Sequence, residues 1–144
     1  MTVHLLDINV LIALIDREHL FSDLAHDWFA ANAHAGWATC PITENGVMRI
    51  MGRPTYPMSP GNPAVIAGYL AGMGGREHHR FWPDDVSLLD PSTVKIDRLL
   101  TAGQLTDTYL LALARAHDGK LATFDRRLAV AAVTNGSRFL HVIQ

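Results

Sequence analysis

The sequence predicts an α/β domain with a mainly parallel central sheet and helices on both faces. Short apolar runs typical of buried strands alternate with longer segments in which apolar residues recur at helical spacing. This alternation favours parallel pairing, because a chain that returns to the same edge of a sheet needs a helix-length crossover. The 144 residues, 49% of them hydrophobic and 18% charged, suit one globular domain spanning 1–144.

The first predicted elements are a strand and two helices. Residues 3–6 form a short apolar run that ends at Asp7, and we expect Asn9 to cap the helix that follows. Ser22 is the expected cap of a second helix, and Gly36 is expected to end it. Asp7, the first acidic residue of the chain, is therefore expected directly after the first strand.

The middle of the chain adds a strand, a helix and a loop. Residues 37–39 resemble a second strand, and Pro41 opens a helix that carries Glu44 in its first turn. The segment 53–63 is too rich in Pro and Gly for regular structure and is expected to be a surface loop. A helix over 64–71, ended by GMGG, follows this loop.

The last third of the chain contains the strongest helical pattern. We expect Thr106 to cap a helix over 107–117, which places Asp107 in its first turn. The remaining predicted elements are a strand at 86–89, a short helix at 92–99 and strands at 121–124 and 139–143. Asp125 therefore directly follows a predicted strand.

Composition excludes several classes of protein. The net charge of −2 shows none of the basic excess common in nucleic-acid-binding domains, although ten of the twelve cations are arginine, the better phosphate ligand. The single cysteine, Cys40, permits no intrachain disulfide and favours a reducing compartment. With no signal peptide and no apolar stretch of about 20 residues, we expect a cytoplasmic protein without a membrane partner.

Four acids lie at corresponding positions of the predicted elements. Asp7 and Asp125 follow strands, while Glu44 and Asp107 lie in the first turns of helices, where the helix dipole alone favours a carboxylate. Each acid by itself has a structural explanation as a turn or capping residue. In a parallel sheet, however, all four positions belong to one edge, where carboxylates repel one another unless a cation lies among them. The set predicts a site for a hard divalent cation.

The motifs that carry these acids resemble those of a known family. LLDINVLIALID contains Asp7, TENGVMRI contains Glu44, and LTDTYLLALARAHDGKLATFD contains Asp107 and Asp125; WATCPIT and FWPDD lie between them. In order and spacing, over nearly the whole chain, the sequence is similar to the PIN-domain nucleases and, more narrowly, to VapC-type toxins of bacterial toxin–antitoxin modules. The resemblance implies a three-layer PIN-like fold.

The resemblance also implies a site and an activity. The acids that would hold Mg²⁺ or Mn²⁺ are Asp7, Glu44, Asp107 and Asp125, with Asn9 and Thr106 as polar support. The metal would polarise a phosphodiester and lower the pKa of an attacking water, which makes the expected activity that of an endoribonuclease. The expected partners are RNA, a VapB-type antitoxin whose tail covers the acids, and a second copy of the chain in a homodimer.

Candidate substrate contacts are basic residues close to the acids. Arg49 lies about one turn beyond Glu44, and Arg126 and Arg127 directly follow Asp125. Binding of RNA phosphates and simple exposure to solvent are both open for these arginines. Basic residues expected in loops, where they would influence the choice of RNA, are Arg53, Arg76, His78, His79 and Arg80.

Two other functional classes remain as alternatives. A phospho-acceptor receiver domain also gathers acids around Mg²⁺, but it needs adjacent acids after the first strand and a lysine ending a late one. This chain has Asp7 alone, and Lys120 precedes its strand. A catalytically silent PIN domain that only binds a partner is the second alternative, and the intact set of acids disfavours it.

Overall fold

The computed structural model describes all of residues 1–144, and its centre is a sheet of five strands. The strands are β1 (His4–Leu6), β2 (Trp37–Thr39), β3 (His79–Phe81), β4 (Lys120–Thr123) and β5 (Leu140–Val142). All are parallel, in the order β3-β2-β1-β4-β5. In the register, His4 lies opposite both Trp37 and Lys120, so β1 is the central strand and Asp7 leaves the middle of the carboxyl edge.

Five α-helices connect and cover these strands. They are α1 (Ile8–Ile15), α2 (Ser22–Asn32), α3 (Pro41–Met51), α4 (Pro63–Gly74) and α5 (Leu105–Ala116). None is long and apolar enough to span a bilayer. The predicted loop at 53–63 is present, and α4 continues three residues beyond its predicted end at 71.

The core is divided between the two faces of the sheet. Leu5 and Leu121 point toward α5, whereas the next residue of each strand, Leu6 and Ala122, points toward α1, α2, α3 and α4. This alternation arises because successive side chains of a strand point to opposite faces of the sheet. The predicted arrangement of helices on both faces is therefore confirmed, and α5 is buried on nearly every side from Thr108 to Ala114.

Close packing of α1 on α3 depends on a glycine. A Cβ atom built on Gly46 would collide with the side chain of Ile8. The absence of that Cβ lets α3 approach the first turn of α1 directly beside Asp7. The helix that carries Glu44 is thus held against the start of the helix that Asp7 precedes.

The predicted helix caps are wrong in three cases. Asp7 caps α1 with extended backbone and a carboxylate that accepts from Ile8 N–H, which leaves Asn9 inside the first turn. Phe21 precedes α2, and the hydroxyl of Ser22 is buried without a partner. Thr106 is not a cap either, because the short 3₁₀ turn Ala102–Gln104 leads directly into α5.

The third strand was predicted in the wrong place. Residues 86–89 form no strand; β3 lies at His79–Phe81, so His79 and Arg80 belong to a strand and not to a loop. This strand lies at the edge of the sheet, where exposed polar side chains are tolerated, and its sequence therefore lacks an apolar pattern. Only a 3₁₀ turn, Ile96–Arg98, forms within the predicted helix at 92–99.

Candidate active site

Asp7 is the most buried of the four predicted acids. It follows β1 in the middle of the sheet, and only 6% of its surface is exposed. One carboxylate oxygen accepts from the Ile8 amide at 2.7 Å, and the other accepts from the hydroxyl of Thr123 at 2.7 Å. Burial raises the pKa of Asp7, Asp125 adds repulsion, and the two hydrogen bonds act in the opposite direction. The two hydrogen bonds therefore hold the carboxylate in one orientation, although burial and the charge of Asp125 destabilise its ionised form.

Thr123, at the end of β4, connects the first and the last of the motifs. Its fully buried hydroxyl donates to Asp7 and accepts from the side-chain amide of Asn9 at 3.3 Å and from the Asp125 backbone N–H at 3.1 Å. Asn9 also accepts from the Phe124 backbone N–H at 3.5 Å. Asn9 thus supports the acidic site through Thr123, without direct contact with an acid.

Asp107 lies in the first turn of α5 and is half-buried. Its pKa is raised to about 6, mainly by burial and further by the negative charges of Asp7 and Asp125. Asp125 is more exposed and accepts from the Arg127 backbone N–H at 2.9 Å. The fold therefore brings Asp7, Asp107 and Asp125 within electrostatic reach of one another, from three different elements.

Glu44 lies apart from this group of aspartates. One of its carboxylate oxygens accepts from the Thr39 hydroxyl at 3.0 Å, at the end of β2, and that hydroxyl is 2.8 Å from Nε2 of His79. Glu44 shares no hydrogen bond with Thr123, which contacts Asp7 and the Asp125 backbone. Glu44 thus lies in the first turn of α3 at the same edge of the sheet, and Thr39, at the end of β2, holds its side chain there.

No cationic side chain neutralises the four acids. The ion pairs of the structure join other residues: Arg17–Asp23, His78–Glu77, Arg98–Asp97 and His117–Asp85. Three mutually repelling carboxylates without a counterion are a donor set that fits a hard divalent cation. No three His, Cys, Asp or Glu side chains are close enough together to enclose an ion as they stand. Because Mg²⁺ usually keeps several of its water molecules, the acids would hold it partly through bound water.

The predicted substrate residues lie on two sides of the acids. Arg49 and Thr106 line a pocket of about 430 Å³ formed between α1, α3 and the start of α5. Arg126 and Arg127 are exposed directly after Asp125. A larger apolar cavity of about 800 Å³ lies between α1, α2 and α4, and none of the four acids lines it.

Two residues at the candidate site were not predicted from the sequence. The only sequence feature that marks Thr123 is that it is a polar residue at the end of an apolar strand, two positions before Asp125. Asp84, in the FWPDD segment, lines the same pocket as Arg49. Neighbouring Trp82 is buried and stacks on His117 with ring centroids 4.4 Å apart.

Comparison with known proteins gives a consistent result. Residues 4–134 match the family model of the PIN domain. The chain is 43% identical over 134 residues to Ribonuclease VapC44 of Mycobacterium tuberculosis, which covers 93% of this chain and 94% of that protein. It is 41% identical to Ribonuclease VapC39 of the same organism (89% and 92% covered) and 41% identical to Ribonuclease VapC29 (90% and 90% covered).

Proposed function

The chain belongs to the PIN-domain family, as a relative of the VapC ribonucleases, and from this we infer that it is an endoribonuclease toxin of a toxin–antitoxin module. The observation that supports this most strongly is the convergence of Asp7, Asp107 and Asp125 at the carboxyl edge of the sheet, with no cation paired to any of them. A phospho-acceptor receiver domain does not account for a match to the PIN family over residues 4–134.

The acids proposed to hold Mg²⁺ or Mn²⁺ are Asp7, Asp107, Asp125 and Glu44. When bound, such a metal polarises the scissile phosphate and lowers the pKa of the attacking water. Asp7 provides the fixed ligand, because Thr123 and the Ile8 amide hold both of its oxygens in place. Asp125 and Asp107 are more exposed than Asp7, so their side chains have room to reorient when they bind the metal.

The chemical step is hydrolysis of a phosphodiester. Water attacks phosphorus, the bond to the 3′ oxygen breaks, and that oxygen takes up a proton and leaves as a hydroxyl, so the phosphate stays on the 5′ end of the downstream fragment. The attacking water passes its proton to solvent. In the metal-free protein, burial and the negative charges of Asp7 and Asp125 raise the pKa of Asp107 to about 6, and a divalent cation bound among the acids would offset that repulsion. Arg49, Arg126 and Arg127 would bind neighbouring phosphates.

The proposed protein partner is a VapB-type antitoxin. A segment of it that covers the acids with a Lys or Arg side chain would supply the positive charge that the four carboxylates lack. A homodimer of the chain is the further assembly that we propose. Both proposals rest on the family relationship.

A growth test examines the toxin function directly. The chain is expressed in a bacterium from an inducible promoter, beside Asp7→Ala and beside the exposed control Asp23→Ala. We expect wild type and the control to arrest growth and Asp7→Ala to be harmless. Harmless wild type, or an Asp7→Ala variant as toxic as wild type, would instead favour a silent binding domain.

A further inference from the structure

A pocket of about 430 Å³ lies next to the acids, between α1, α3 and the start of α5. We call it the Asp84 pocket. Its polar lining consists of Asn45, Arg49, Asp84 and Thr106, and Ile8 is part of its apolar wall. Its volume lies within the range of small-molecule sites, roughly 300 to 1,000 Å³. Ile8 follows Asp7 and Thr106 precedes Asp107, so whatever fills the pocket lies beside the proposed site of cleavage.

The Asp84 pocket has an anchored wall. Trp82 is buried and stacks on His117, and Asp85 receives a hydrogen bond from Nε2 of His117 at 3.1 Å. These two contacts fasten the FWPDD segment to the end of α5 on both sides of Asp84. Asp84 is left facing the pocket, where burial raises its pKa and the nearby thiol of Cys40 partly opposes that rise.

The opposite wall comes from one face of α3. Asn45 and Arg49 are four residues apart, so their side chains lie on the same side of the helix. Arg49 belongs to none of the four ion pairs of the structure, and neither does Asp84. An unpaired cation, an unpaired carboxylate and a free amide thus line one pocket, which suits a ligand that carries both an anionic group and hydrogen-bond donors.

We propose that the Asp84 pocket binds an unpaired guanine nucleotide of the RNA beside the cleaved bond. Asp84 accepts from the guanine N1–H and N2–H groups, the Asn45 amide donates to O6, and Arg49 binds the phosphate of the same nucleotide. This assignment depends on the ribonuclease function proposed above. It adds two residues, Asn45 and Asp84, as determinants of which sequence is cut.

Hydrogen-bonding chemistry selects guanine. A carboxylate only accepts, and each of its oxygens has room for more than one donor, so the Cys40 thiol leaves most of its capacity free. Guanine alone among the standard RNA bases presents two adjacent N–H donor groups on its Watson–Crick edge. That edge is accessible only in an unpaired base.

The test uses the purified full-length chain with Mg²⁺ and total bacterial RNA, with the new 5′ ends mapped. We expect a guanine at one fixed position next to the cut. A single-stranded oligonucleotide with the mapped site is then prepared with guanine or with inosine, which lacks the N2 amino group. Wild type should cut the inosine form about tenfold more slowly, the size of a lost base contact. Asp84→Asn should cut both forms at equal rates.

Controls separate this inference from the ribonuclease function. Asp23→Asn makes the same chemical change at an exposed site outside the pocket and should keep the discrimination of wild type. Asn45→Ala, which leaves the anchored wall intact, should slow cleavage of the guanine and inosine forms by the same factor, because both bases carry the O6 acceptor. Cleavage without a fixed guanine, or equal rates of wild type on the two oligonucleotides, overturns the guanine pocket and leaves the ribonuclease function standing. Wild type that cuts no RNA overturns both.

Discussion

The hydroxyl of Thr123 donates a hydrogen bond of 2.7 Å to the carboxylate of Asp7, across a sequence separation of 116 residues. The two side chains leave the ends of adjacent parallel strands, since β1 pairs with β4 over its whole length. The same hydroxyl accepts from Asn9 and from the Asp125 backbone. One buried oxygen atom thus fixes the position of one acid and the backbone of another.

Thr123→Val should therefore impair the site more than the fold. The substitution keeps the shape of the side chain but removes one of the two hydrogen-bond donors of a buried carboxylate, which should lower the free energy of unfolding by about 1–3 kcal/mol. RNA cleavage should fall by at least tenfold, because Asp7 loses its orientation. Urea denaturation and initial cleavage rates measure the two effects. Thr123→Ser keeps the hydroxyl and should stay much closer to wild type in cleavage; an equal loss in both variants would show that the hydrogen bond has no special role.

Asp107 should make the metal-free protein less stable as the pH rises. Its pKa is raised to about 6 in the folded state, so the folded protein holds a proton that the unfolded chain releases at lower pH. Stability from this group is complete below about pH 4 and is lost as the pH rises through about 6. In EDTA, the melting temperature of Asp107→Asn should rise relative to that of wild type as the pH increases from about 4 to about 6. At pH 4 the titration of Asp107 should contribute little to the difference between the two proteins. A difference between the two proteins that does not change with pH would contradict the raised pKa.

His4 should have the opposite dependence on pH. It is 7% exposed, and burial, followed by the charges of His141 and Lys120, lowers its pKa to about 4. The unfolded chain therefore binds a proton that the folded protein excludes, and stability is lost as the pH falls from about 6.5 to about 4. In His4→Phe this position cannot titrate, so the melting temperature of the variant should rise relative to that of wild type as the pH falls over this interval. Because the effects of His4 and Asp107 oppose each other, each must be measured as a difference between variant and wild type.

Mg²⁺ should stabilise the protein through the acids. A ligand that binds only the folded state raises the melting temperature with its concentration. We expect Asp7→Asn to abolish this rise, because it removes the ligand whose orientation is fixed. Glu44→Gln should reduce it less, because the Glu44 side chain is held by the Thr39 hydroxyl and shares no hydrogen bond with Thr123. A rise that is unchanged in Asp7→Asn would place the bound metal elsewhere.

The convergence of Asp7, Asp107 and Asp125 was predictable, because parallel strands and the helices that follow them share one edge of a sheet. The role of Thr123 was not, since it depends on the pairing of β1 with β4 and on no local pattern. The edge strand β3 was missed for a related reason: its sequence His-Arg-Phe has no apolar signal, and only its pairing with β2 makes it a strand. The caps of α1 and α5 were each misplaced by two residues, because the backbone upstream of each helix decides where the first turn begins.

The most direct test of the central claim is cleavage of RNA by the purified chain with Mg²⁺, with EDTA, and with Asp7→Asn in Mg²⁺. The account predicts new RNA ends that carry a 5′-phosphate with wild type and Mg²⁺, at discrete positions, and none in the other two reactions. Cleavage that persists in EDTA or in Asp7→Asn, or no cleavage of any RNA by wild type with Mg²⁺, would contradict it.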